Sequence, residues 1–178
     1  MRIFGYKPSL SAWIGILIIA IFLIIAIFAD WIAPFPEEET VSATWDPPSA
    51  DYLLGTDNIG RDMLSRLIFG ARMTIGVALV TTILSFILGT VTGFLAAVGG
   101  QVIDQALSRL VDVMLSIPLL IFALIILSMF GSSIPTLIIT IAVLDSTRVF
   151  RLSRAVAMNL VVMEYVEVAR LRGEGLWW

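Results

Sequence analysis

The chain has 178 residues, of which 59% are hydrophobic and 14% charged, with a mean hydropathy of +1.01 and a formal net charge of −3. A soluble domain draws about a quarter of its residues from the charged set, so this sequence lacks the polar surface to cover itself in water and reads as a membrane protein. The absence of Cys and His excludes disulfide scaffolds, thiolate nucleophiles, Ser-His triads and most zinc sites, so no catalytic residue, metal site or cofactor is expected.

The first element follows a short N-terminal segment, residues 1–11, that holds Arg2 and Lys7. Ala12 to Ala29 is uncharged over 18 residues, which meets the length of a spanning helix. The run exceeds the apolar core of a secretory signal, and no A-x-A site follows. Residues 12–30 are therefore expected to be a retained first span.

Residues 31–72 read as a long loop. "APFPEEETVSATWDPPSADYLLG" has the Pro, Glu and Ser character of an irregular linker, and Glu37, Glu38 and Glu39 are expected to be solvated. After it, Met63, Leu64, Leu67, Ile68 and Ala71 share one helical face, and Asp62 stands four residues before Arg66 as a supporting pair. The pattern predicts an amphipathic helix on the membrane surface or on a partner, capped by Thr56 or Asp57. The Asp57–Asp62 spacing lacks the alternation of a calcium loop.

Met73 to Gly100 holds no charge and predicts a second span at about 73–98. Within it, Gly89-x-x-x-Gly93 with Ala97 forms a small ridge that suits close helix packing in lipid. Thr81, Thr82, Ser85, Thr90 and Thr92 either bond back to their own helix or line a pathway. Val113 to Leu144 is uncharged over 32 residues, too long for one crossing. "FGSSIP" at 130–135 supplies a turn, so a third span is expected at about 110–130, kinked at Pro118, and a fourth at about 133–150.

Asp145 in the fourth span is expected to pair with Arg148, one turn on. Asp104, Arg109 and Asp112 mark an ordinary boundary, while Arg148, Arg151 and Arg154 are expected to anchor at lipid phosphates. With the N-terminus inside, Arg2, Lys7, Arg109, Arg148, Arg151, Arg154, Arg170 and Arg172 lie in the cytoplasm and only Arg61, Arg66 and Arg72 outside. That asymmetry sets the orientation as N-terminus in.

The tail, Arg148 to Gly173, is too short of apolar residues to cross again and reads as helix up to a stop at Gly173. Glu164, Glu167 and Arg170 mark its polar face, and Glu167 and Arg170 are placed to pair. Tyr165, Val166, Val168 and Ala169 are available for burial, and small Ala169 and Gly173 permit close approach to a partner.

Two stretches carry a family resemblance. Leu54, Gly55, Thr56, Asp57, Gly60, Arg61 and Asp62, in "LGTDNIGRD", are similar to the segment before the second span in C-type permease subunits of dipeptide, oligopeptide and nickel ABC importers. "EYVEVARLRG", with Glu164, Tyr165, Glu167, Ala169 and Gly173, resembles the cytoplasmic EAA loop of ABC importer permeases, with Val168 in place of the first alanine. Val143 stands where many relatives carry tryptophan.

The resemblance implies an all-α inner-membrane protein of bacteria or archaea, with about four spans of a type I importer permease and a partial permease domain over 73–178. In that family the EAA loop, here 151–178, is a coupling helix seated in a separate ATPase subunit. A second permease subunit completes a heterodimer, a soluble extracytoplasmic binding protein delivers solute, and lipid surrounds the spans; nothing implies nucleic acid. The family pattern runs on past Gly173 with further spans, so the chain is expected to correspond to the amino-terminal part of a permease. The competing reading is a non-transporting remnant or regulatory membrane protein that pairs with permease subunits.

Overall fold

The computed structural model describes residues 9–174; Arg2 and Lys7, which contribute to the charge asymmetry, lie outside them. Among the described residues every regular element is a helix; residues 33–62 are irregular, with two isolated bridges at Thr40–Arg61 and Thr56–Asp62. Two compact units divide between Ala78 and Leu79.

In the first unit, α1 runs from Leu10 to Ile27, and the Ser9 hydroxyl accepts from the Ala12 N–H at its start. At about 1.5 Å per residue its 18 residues approach the thickness of a hydrocarbon core. Its Ile and Leu side chains are largely exposed, as a helix solvated by lipid requires. A short α2, Ala29–Ile32, follows, with the Phe28 and Trp31 rings 5.4 Å apart.

The next helix, α3, is Met63–Val98, 36 residues long. The expected amphipathic surface helix is not separate: it forms the first turns of α3. Met63 to Ala71 have no residue that breaks the backbone ladder before the apolar run begins at Met73. A helix of this length measures about 54 Å against a hydrocarbon core of about 30 Å. Ten residues, Met63 to Arg72, precede the uncharged part, and Arg72 donates to Asp30 at 2.7 Å. That exposed pair contributes little energy, but it joins the last charge before the uncharged run to α2, just after α1.

The second unit contains the rest of α3, then α4 (Gln101–Ser116), α5 (Leu119–Phe130), α6 (Ile134–Val161) and α7 (Glu164–Leu171). The expected kinked third span is instead broken. Pro118 has no N–H to offer and pushes Ile117 into extended backbone, φ −95° and ψ 130°. The helices on either side meet at 92°. Gly131, at φ +87°, turns the chain after α5, and the Ser133 hydroxyl caps α6 through the Thr136 N–H.

α6 runs past the expected end of the fourth span to Val161, and the tail then breaks at Val162–Met163 before α7. Among the described residues two helices, α1 and α3, are long and apolar enough to cross a membrane, or three spans if the bent pair α4–α5 counts as one. α6 has the length, but its first 18 residues include Asp145, Arg148 and Arg151.

The core of this unit is small. Ala96, Val111 and Phe150, from α3, α4 and α6, meet with Leu107 packed beside them. Gly89 and Gly93 bring α3 onto α6. A Cβ at Gly89 would lie 2.5 Å from the Val149 Cβ and 2.6 Å from the Ser146 carbonyl oxygen, and one at Gly93 would lie 2.8 Å from the Phe150 carbonyl oxygen. A larger residue at either position would hold the backbones apart.

Candidate functional site

The two motif regions are built in opposite ways. In the first, the chain from Thr40 to Asp62 closes on itself. Gly60 accepts from the Val41 and Ser42 N–H groups at 2.8 and 3.2 Å, and Thr56 donates to the Ala43 carbonyl at 2.6 Å while accepting from the Asp46 N–H at 2.8 Å. Gly55 and Gly60 both have positive φ, +74° and +84°. A Cβ on Gly55 would overlap the Asp46 carbonyl oxygen and one on Gly60 that of Ser42, so this close approach requires glycine. The expected irregular linker is thus a hydrogen-bonded clasp, though Glu37, Glu38 and Glu39 are exposed.

Asp57 organises the clasp. Its Oδ1 accepts from the backbone N–H groups of Ile59 (2.8 Å) and Arg61 (3.0 Å), and its Oδ2 from Arg61 Nε (2.9 Å) and an Arg66 guanidinium N–H (2.7 Å). The Arg61 backbone N–H, more than any other contact, holds its carboxyl well below the usual carboxylate range; burial opposes this, and the Ile59 N–H and the Arg61 guanidinium add to it. Asp62, rather than Thr56 or Asp57, caps α3, because its Oδ2 accepts from the Ser65 N–H and hydroxyl, both at 2.7 Å. Arg66 consequently pairs with Asp57, not with Asp62. Gly55, Thr56, Asp57, Gly60 and Asp62 are all buried, Arg61 is half-buried and Leu54 is exposed.

The second region is α7. It starts after a turn in which the Met163 carbonyl accepts from Val166 and Glu167 N–H groups, and it packs against α6. Glu164, Tyr165, Glu167 and Val168 are exposed, whereas Ala169 is buried. Ala169, expected to be available for burial, is buried within the chain. Gly173, at φ +78°, ends the helix: the Glu174 N–H reaches the Ala169 carbonyl at 3.1 Å, the long bond of a left-handed C-terminal cap. The Arg170 side chain, expected to pair with Glu167, lies outside the described residues.

Between these regions in sequence the structure assembles a cluster that spacing alone did not show. Two guanidinium nitrogens of Arg154, Nε and Nη2, donate to the two carboxylate oxygens of Asp104, the second at 2.6 Å, and Arg151 donates to Asp112 at 2.7 Å. Arg151 and Arg154 thus turn to α4 rather than to lipid phosphate. Arg148 lies 3.9 Å from Asp145, within ion-pair range but beyond hydrogen-bond distance. A cavity of about 320 Å³ beside the pairs is lined by Ser108, Val111, Asp112, Phe150, Arg151 and Arg154. Of the hydroxyls left open by the sequence, Thr92 bonds back to the Leu88 carbonyl at 2.6 Å, and Thr81 is buried with no hydrogen-bond partner for its hydroxyl among the described residues.

Long apolar helices, a small-residue helix contact and an exposed terminal helix define the class as an α-helical integral membrane protein. Residues 89–178 match the family described as binding-protein-dependent transport system inner membrane component, and the chain belongs to that family. Residues 10–53 match the N-terminal TM domain of oligopeptide transport permease C; the 54–62 motif falls between the two matches.

The chain is 37% identical over 97% of its length to the dipeptide transport system permease protein DppC of Haemophilus influenzae, covering 61% of that protein. It is 38% identical to DppC of Escherichia coli over 96% of its length, covering 59% of that protein. It is 36% identical to the di/tripeptide transport system permease protein DppC of Pseudomonas aeruginosa over 90%, covering 55%. The chain therefore spans about three-fifths of the length of the relatives it matches.

Proposed function

We propose that this chain is part of a permease subunit of an ABC importer, in which α7 is the coupling helix that receives a separate ATPase subunit. The observation that carries the reading is the exposure of Glu164, Tyr165 and Glu167 on a helix whose end is fixed by Gly173, within the region matched by the transport family. Exposed carboxylates and a tyrosine on a helix of fixed length are free to meet a partner surface.

The names of the relatives, dipeptide and di/tripeptide permeases, favour peptides within the wider class of peptides, nickel and related small solutes. On this reading the chain performs no bond chemistry of its own. ATP is hydrolysed by the partner, and its closure rocks the spans to give alternating access. The solute arrives on a soluble binding protein, a second permease subunit completes the pathway, and the charge asymmetry supports a cytoplasmic α7 with the clasp outside.

In the assembled transporter, Glu167→Lys is expected to abolish co-purification of the ATPase while membrane insertion and the unfolding temperature stay unchanged. Wild-type co-purification and transport in that variant would overturn the assignment of α7.

A further inference from the structure

The position of α4 is set by its side chains rather than by its covalent neighbours. At its start Gly99 and Gly100 interrupt the helix, with Gly100 at φ +85°. At its end Ile117 is extended and Pro118 begins a new helix direction at 92°. Neither junction carries the hydrogen-bond ladder of a continuous helix, so neither transmits torque.

Three contacts attach α4 to α6 instead. The Asp104–Arg154 fork lies near one end of α4, and the Asp112–Arg151 bond lies eight residues on, about 12 Å along the axis. The apolar cluster of Val111, Phe150 and Ala96 of α3, with Leu107 packed beside it, lies along the same stretch. A single contact would let α4 pivot. Two charged contacts separated along α4, with an apolar cluster between them in sequence, fix α4 against the one turn of α6 that holds Phe150, Arg151 and Arg154. α6 in turn is unbroken from Ile134 to Val161 and reaches α7 after two residues.

We propose that Asp104, Asp112, Arg151 and Arg154 are positioning residues that pin α4 to α6, so that displacement of α7 moves α4 and α6 as one body. The inference rests on the coupling role of α7 for its consequence in transport, but the pin itself is measurable without that role. The bidentate Arg154–Asp104 fork suits the task because it fixes orientation as well as distance. The Arg151–Asp112 pair is the weaker point: its side chains remain 58% and 60% exposed.

The test uses the assembled transporter in lipid nanodiscs and proteoliposomes. The 178 residues contain no cysteine, so spin labels at Val102→Cys on α4 and Leu152→Cys on α6, both at exposed positions, report one distance within this chain. That distance is expected to be the same in the nucleotide-free and ATP-trapped states; a distance that changes between them would overturn the pin. Arg154→Asp is expected to broaden the distance distribution and lower transport per ATP hydrolysed by about tenfold, with ATPase association retained. Asp104→Arg in the same chain is expected to restore both. Full coupling in Arg154→Asp, or failure of the charge exchange to restore a folded but uncoupled Arg154→Asp variant, would also overturn the proposal. If Arg154→Asp does not fold, the two-state distance in the otherwise native chain decides. Loss of ATPase association in Glu167→Lys bears only on α7, which keeps the two readings separable.

Discussion

The loop motif at 54–62 and the helix α7 at 164–171 are both short, charged segments beside apolar helices, yet they direct their polar groups in opposite directions. Asp57 spends its carboxylate on two backbone N–H groups and two arginines of its own loop. Glu164 and Glu167 have exposed side chains. A buried carboxylate without partners is expensive, so the first arrangement requires an internal network. An exposed one costs little alone and remains available to another protein. A recognisable motif therefore marks a constraint without saying whether the constraint is internal or external; burial tells the two apart.

Substitutions sharpen that contrast, and the largest effect is expected in the clasp. Gly60→Val combines a left-handed backbone with overlap at the Ser42 carbonyl, for an expected loss of roughly 2–5 kcal/mol, read as a lowered unfolding temperature in detergent. Gly89→Val follows at about 1–3 kcal/mol, since the Val149 side chain and the Ser146 carbonyl leave no room for it between α3 and α6. In both cases a wild-type melting curve would remove the packing argument.

Acid separates the regions next. The Asp57 carboxyl is depressed in the folded clasp from an ordinary value of 3.8. Its contribution is therefore fully present above that ordinary value and is lost as pH falls from there through the lower folded value. Exchange protection of the Trp45 N–H, which donates to the Asp57 carbonyl oxygen at 3.1 Å, is expected to hold at neutral pH and decline only below about pH 4. In Asp57→Asn the protection should be weaker at neutral pH and lack that acid-dependent step.

The α7 end of the comparison carries the smallest stability effects. Gly173→Ala places a Cβ in the left-handed region at a cost of about 1 kcal/mol, detectable as fraying of α7 in amide exchange. Glu164→Gln and Tyr165→Ala are expected to change the unfolding free energy by less than about 0.5 kcal/mol while weakening ATPase binding to the assembled transporter. A large loss of stability in either would move α7 to the internally committed class.

Much of this was legible in the amino-acid order because lipid imposes simple rules. The uncharged runs at 12–29 and 73–100 reappear as α1 and the apolar length of α3, since a chain in hydrocarbon must satisfy its backbone by helix. Gly89 and Gly93 were legible as a small ridge, although only the fold shows that its partner is α6. Pro118 was visible as an irregularity, but the size of the break was not, because proline bends or breaks a helix according to what the surrounding helices can pack against. The Asp–Arg pairs between α4 and α6 left no signal in spacing. Their members are 39 and 50 residues apart, and nothing local distinguishes an arginine facing lipid phosphate from one facing an aspartate on another helix.

By itself, then, the sequence determined that this is a helical membrane protein, roughly where its apolar segments lie and which motifs connect it to a transport family. The first two depend on composition and local periodicity, and the third on the resemblance of two short stretches to a known family. The tertiary structure alone decided that the loop motif is consumed by its own clasp, that Ala169 is buried, and that Arg151 and Arg154 tie α6 to α4. Each of those depends on which distant backbone arrives alongside, and hydrogen bonds and ion pairs act only at contact distance.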